Sequence, residues 1–197
     1  MKKKYIGIDI DCVIADTIKM FIPFFNERFN QNLELNEIKH YEFEKCYKNV
    51  DADDIMQAFK DITKKKLWAD IKPMKGADNF LKLLSEKYCT VIVTSRPEEF
   101  MGEQTELWLN KHKFKYDKLL YMKQGDKDKY ITGLNNGYKF DLMIEDCLDF
   151  ALKISKYKIP VLLYDYPCNQ LEKAPENIVR IYNLKEALKI ILNDKLI

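Results

Sequence analysis

Four short clusters of acid, hydroxyl and amine side chains stand along the chain, three of them directly after an apolar run. Asp9-Ile10-Asp11 closes the run that starts at Tyr5. Thr94-Ser95-Arg96 follows Thr90-Val-Ile-Val93. Gly125-Asp126-Lys127 lies in the loop beyond Leu119-Leu-Tyr121, and Glu145-Asp146 follows Leu142-Met-Ile144. The chemistry this set can do is attack on an anionic ester. A phosphate ester repels an anionic nucleophile unless its charge is neutralised, and Mg²⁺ held by carboxylates does that while keeping several waters and one phosphate oxygen. Without such an ion, that many carboxylates in one crevice would raise one another's pKa. A lysine such as Lys127 adds positive charge at the phosphoryl oxygens, with Lys123, Lys129 and Lys139 close by in the sequence. Thr94 and Ser95, with nearby backbone N–H groups, would orient the same oxygens. The Asp9 carboxylate can then attack phosphorus. Asp11 can protonate the leaving oxygen and afterwards take a proton from water.

These clusters require elements that bring them to one edge. The runs before the first, second and fourth are β-branched and nearly continuous, which suits strands of a parallel sheet covered on both faces. Val161-Leu-Leu-Tyr164 is a further strand, and Leu119–Tyr121 and Ile178–Ile181 are weaker ones. Helical spacing fills the intervals at Ala77–Leu84, Glu103–Lys111, Asp149–Lys158 and Leu184–Leu192. Strand and helix in alternation predict an α/β, three-layer, doubly wound fold, whose ligands sit beyond the carboxyl ends of the strands. From Asp16 to Lys72 there is no strand signal, only helix-like stretches rich in aromatics. The expected organisation is a hydrolase core over residues 1–15 and 73–197, with a small helical cap at 16–72 inserted after the first strand.

In this order and at these strand ends, the four clusters resemble the motifs of the haloacid dehalogenase superfamily. The resemblance covers essentially the whole chain and implies a Rossmann-like core with Mg²⁺ as cofactor. It makes Asp9 the nucleophile, Asp11 the acid/base, Thr94 the phosphate-binding hydroxyl and Lys127 the positive clamp. Asp146 becomes the acidic metal ligand with Glu145 in support, completed by Asp9 and the carbonyl of Asp11. A narrower resemblance is to the 5′(3′)-deoxyribonucleotidase-like branch. It rests on the helical insertion, the stretch Trp68-Ala-Asp-Ile-Lys-Pro73-Met-Lys-Gly76-Ala77, the Thr-Ser pair and the Asp-Lys pair. Thr105-Glu-Leu-Trp108-Leu109 and Asp165-Tyr-Pro167-Cys-Asn169 are similar to bacterial members. This implies a nucleoside monophosphate substrate, its base enclosed by Trp68 and by Tyr41 or Phe43. Arg96 stands where the better-known members carry proline and is a further candidate for substrate contact. The stretch between Lys127 and Glu145 is longer than in those members.

Composition sets the outer bounds. The 197 residues carry a net charge of +2, from 33 basic and 31 acidic side chains, which gives no case for a nucleic-acid polymer or a membrane as partner. Five widely spaced cysteines without a CxxC pair suggest neither zinc nor a disulfide framework, so reduced thiols in a cytoplasm are expected. The apolar run at the start is cut by Asp9 and too short for a signal peptide. The expected partner is a small-molecule phosphate ester, and a homodimer is compatible with the sequence. A phospho-accepting signalling domain would also gather acids, a hydroxyl and a lysine around Mg²⁺, but it carries its accepting Asp at a later strand end. A phosphosugar phosphatase stays open.

Overall fold

Side chains of successive strand residues point to opposite faces of a sheet, and this chain is apolar on both. In a computed structural model describing residues 3–193, Ile92 packs into one core, while its neighbours Val91 and Val93 pack into another on the far side. The strands are β1 (Tyr5–Ile8), β2 (Cys89–Thr94), β3 (Lys118–Tyr121), β4 (Leu142–Glu145), β5 (Val161–Tyr164) and β6 (Ile178–Ile181). All pair in parallel, in the order β3-β2-β1-β4-β5-β6. Both weaker strand expectations, near 119–121 and 178–181, are strands at the two edges. The α/β fold predicted from the sequence is the fold observed.

The helices are α1 (Thr17–Phe29), α2 (Ala52–Lys64), α3 (Ala77–Lys87), α4 (Glu98–Lys111), α5 (Lys129–Asn135), α6 (Leu148–Ser155) and α7 (Leu184–Leu192). On one face α3 contributes Phe80, Leu81 and Leu84, α4 Trp108 and Leu109, and α7 Leu184, Ala187 and Ile191. On the other, Tyr130 of α5 and Ala151 and Ile154 of α6 cover the sheet. Mid-sheet, Gly7 of β1 is required by close approach: a Cβ there would run into the sulfur of Met143 and the ring of Phe140. Among the described residues no helix is long and apolar enough to cross a membrane.

Between β1 and α3 the chain forms α1, α2 and short 3₁₀ turns, with no strand. It leaves and re-enters the core at one point: the Asp16 amide donates to the Lys72 carbonyl at 2.8 Å, and the Met74 amide to the Ile14 carbonyl at 2.8 Å. The helices of this excursion meet through aromatic rings. Fully buried Phe25 has Phe43 at 5.0 Å and Phe59 at 5.5 Å, both edge-on, and Phe21 stands edge-on to Trp68 at 5.3 Å. Such pairs add about 0.5–1.5 kcal/mol each beyond the area they bury.

Candidate active site

Adjacent parallel strands β1 and β4 end side by side, so their terminal acids meet. Asp9 follows β1 and donates its amide to the Ile144 carbonyl at 3.0 Å, which pins it beside Glu145 and Asp146. Carboxylate oxygens of Asp9, Glu145 and Asp146 lie within 4.8 Å of one another, and all three residues are buried. The ammonium of Lys129 faces two of them, 2.8 Å from Oδ1 of Asp9 and 2.9 and 3.1 Å from the oxygens of Glu145.

The lysine beside the acids is therefore Lys129, not Lys127, which is exposed. The cause is local. Asp128 caps α5, its carboxylate accepting the Ile131 amide at 3.0 Å, so the helix starts at Lys129 and turns that side chain inward. Lys127 stays on the loop outside.

Were all three buried acids ionised, one ammonium would leave two negative charges uncompensated. Burial raises the pKa of all three acids: Asp9 is pushed up despite Lys129, Glu145 up to about 8, and Asp146, with Glu145 beside it, well above the usual range. Lys129 is buried, but Asp9 and Glu145 more than offset this and raise its pKa. Oδ1 of Asp9 accepts no well-aligned hydrogen bond, although the ammonium is near. An all-oxygen donor set of three buried carboxyl groups, which can release their protons to a metal, suits a hard divalent cation such as Mg²⁺.

Asp11 sits apart from that cluster, in a fork. Nε and Nη2 of Arg96 donate to its two oxygens at 2.9 and 2.6 Å, and the Thr17 hydroxyl donates at 2.6 Å. Burial alone would raise the Asp11 carboxyl; the Arg96 guanidinium outweighs it and lowers the pKa. Arg96 is itself buried, with Nη1 on the Thr105 hydroxyl at 3.3 Å and its guanidinium 4.9 Å above the Trp68 ring. Its charge is thus committed to Asp11. Thr94 is fully buried and its hydroxyl accepts the Arg96 amide at 3.2 Å, while exposed Ser95 lines the adjoining cavity.

That cavity, of about 910 Å³, opens over Asp9, Asp11 and Asp146 and has mostly apolar walls. The excursion between β1 and α3 supplies Phe21, Tyr41, Phe43, Phe59 and Trp68. Trp68 is buried, with its indole N–H on the Thr63 hydroxyl at 2.9 Å. Tyr41 is 53% exposed at the mouth, yet burial of its hydroxyl and the charge of Asp146 push its pKa well up. At the rim α4 adds Phe100, which the sequence reading did not single out.

Residues 3–197 match the family described as 5′ nucleotidase, deoxy (Pyrimidine), cytosolic type C protein. The chain belongs to this family. It is a phosphatase of the nucleotidase type within the haloacid dehalogenase superfamily. A nucleotidase of Clostridium acetobutylicum is 30% identical over 191 residues, covering 97% of this chain and 95% of that protein. Among solved structures, a haloacid dehalogenase-like hydrolase of Streptococcus pneumoniae shares the fold with a TM-score of 0.69 at 14% identity, covering 96% of this chain and 98% of its own. A magnesium-bound protein of the same superfamily from Bacillus subtilis has a TM-score of 0.62 at 14% identity, covering 97% and 99%.

Proposed function

We propose that this nucleotidase-family chain hydrolyses phosphate monoesters of nucleosides or deoxynucleosides with Mg²⁺, through a covalent phosphate on Asp9. The observation that carries the reading is the buried cluster of three carboxyl groups, Asp9, Glu145 and Asp146, facing a single ammonium at the floor of the aromatic-walled cavity. Asp9, Asp146 and the carbonyl of Asp11 would hold the ion, with Glu145 in support. When bound, Mg²⁺ supplies positive charge to a phosphoryl oxygen.

An oxygen of Asp9 attacks phosphorus, and the bond from phosphorus to the ester oxygen breaks. The electron pair goes to that oxygen, which takes a proton from Asp11. Water then attacks the phosphorus on Asp9 and gives a proton to Asp11. The bond to Asp9 breaks, releasing inorganic phosphate and restoring the carboxylate. Arg96 and Thr17 hold both oxygens of Asp11 and favour its ionised form, the form needed as base in the second half; the proton it then takes from water is the one it gives to the leaving oxygen of the next ester. Lys129, in place of Lys127, neutralises charge beside the nucleophile, and Ser95 is the hydroxyl at the cavity wall.

The aromatic walls favour a nucleoside over a sugar as leaving group, because a flat base buries apolar area against Phe43, Tyr41 and Trp68 while a polyol would leave hydroxyls unpaired. The segment 16–72 serves as a cap that excludes bulk water and sets specificity. A screen of phosphate release across nucleoside monophosphates and sugar phosphates, with and without Mg²⁺, tests the reading. Release from nucleotides only when Mg²⁺ is present is expected; preferential release from sugar phosphates would overturn the substrate assignment.

A further inference from the structure

The stretch Asp165-Tyr-Pro167-Cys-Asn169, which follows β5, has no part in the chemistry above, yet it bonds to both loops that carry the acids. Asn169 is 1% exposed, and its amide nitrogen donates to two backbone carbonyls, those of Asp146 and Tyr164, each at 2.7 Å. Its amide oxygen accepts from the Tyr166 amide at 3.1 Å and from Nη1 of Arg180 at 2.8 Å. Arg180, on edge strand β6, also reaches the Asn169 carbonyl at 2.9 Å and Asp165 at 2.8 Å. All the polar atoms of the Asn169 side chain are thus committed, with one contact on the residue that would ligate the ion.

Tyr166 reaches the other acid-bearing loop. Its hydroxyl donates to the Cys12 carbonyl at 3.0 Å, one residue beyond Asp11. Cys12 has a φ of 59°, a left-handed conformation that a residue with a Cβ enters at a cost and keeps only when its surroundings hold it there. The Cys12 amide is held by the Ala15 carbonyl at 2.8 Å and its carbonyl by Tyr166. One loop therefore grips the turn after β1 through a phenol and the turn after β4 through an amide.

We propose that Tyr166 and Asn169, backed by Arg180, are positioning residues that fix the separation of the two acid-bearing loops and so set the affinity for the divalent ion. The proposal rests on the metal-holding role of Asp9 and Asp146 given above, but not on the identity of the ester. Ligand groups of a metal site lose about 10–100-fold in affinity when the hydrogen bonds that orient them are removed.

The test is calorimetric titration of Mg²⁺ into the metal-stripped full chain, without substrate. Tyr166→Phe deletes one hydroxyl and retains the ring that stacks 5.6 Å from Tyr164, so its Tm is expected to stay close to the parent's. Its affinity for Mg²⁺ is expected to fall about 10-fold, and that of Asn169→Ala by up to about 100-fold. Raising Mg²⁺ should restore phosphate release in Tyr166→Phe with KM for the ester unchanged, a rescue that general loss of structure would not give. Parental Mg²⁺ affinity in Tyr166→Phe overturns the proposal, whatever Asn169→Ala does. A parent protein that takes up no Mg²⁺ overturns the metal site and the brace together. A parent that binds Mg²⁺ but cleaves no nucleotide overturns only the substrate, and the calorimetric comparison still decides the brace.

Discussion

Replacing Lys129 by Met, with Lys127→Met as its partner, separates the two lysines by consequence. Met keeps much of the volume and the apolar stem, so the change removes chiefly the ammonium. In the parent, that ammonium lies 2.8 Å from Asp9 and 2.9 Å from Glu145, at 1% exposure. Removing one partner of a buried ion pair costs about 3–5 kcal/mol, because the remaining charge is left unpaired. For a chain of this length, that corresponds to a fall in Tm of roughly 6–20 °C. The loss should grow in metal-free protein as pH rises and the acids ionise, and should shrink toward pH 5 as they take up protons. Saturating Mg²⁺ should recover part of it. Turnover should drop about 10²–10³-fold, the usual loss of one donor that stabilises transition-state charge. Lys127→Met should change Tm by less than about 0.5 kcal/mol equivalent and leave turnover alone. The assays are thermal melts across pH with chelator or Mg²⁺, and steady-state phosphate release. A Lys127→Met protein that loses turnover while Lys129→Met keeps it would refute the reasoning.

The raised acids give a second expectation. A carboxyl whose folded pKa lies above its unfolded value contributes stability that is complete below the unfolded pKa and lost as pH climbs through the folded one. With Glu145 raised from 4.5 to about 8, metal-free protein should lose stability across that window, and Mg²⁺ should flatten the profile; a Tm that rises from pH 5 to 8 without metal would contradict it. Mg²⁺ affinity should rise with pH over the same window, since binding displaces protons, and calorimetry in buffers of different ionisation enthalpy would detect their release. Tyr41→Ala, at the exposed mouth, should leave Tm unchanged but raise KM for a nucleoside monophosphate by roughly 5–30-fold, the loss of about 1–2 kcal/mol of base stacking; an unchanged KM would remove Tyr41 from the substrate wall.

How far the sequence led can be seen residue by residue. Strands β1, β2, β4 and β5 are legible because buried parallel strands are runs of apolar side chains ended by polar ones, and the carboxyl ends of β1 and β4 hold the acids. Asp9, Glu145 and Asp146 meet because β1 pairs with β4, a neighbour relation that spacing alone does not state. Choosing between Lys127 and Lys129 required knowing where α5 begins; Asp128 as a cap was the available signal. Arg96 stood out as a departure from proline, but its commitment to Asp11, 85 positions earlier, depends on tertiary approach. The Asp165–Asn169 stretch resembles bacterial members in sequence, but its task is not legible there, because its contacts to the acid-bearing loops are backbone carbonyls, which no side-chain pattern reveals.

The central claim is that Asp9 carries the phosphoryl group. Acid-quenched turnover with excess nucleotide, followed by borohydride reduction and peptide mass spectrometry, tests it directly. Reduction of the acyl phosphate should convert position 9 to homoserine, with no conversion in Asp9→Asn protein or without Mg²⁺. Conversion at another carboxylate, or steady phosphate release by Asp9→Asn at the parental rate, would contradict it.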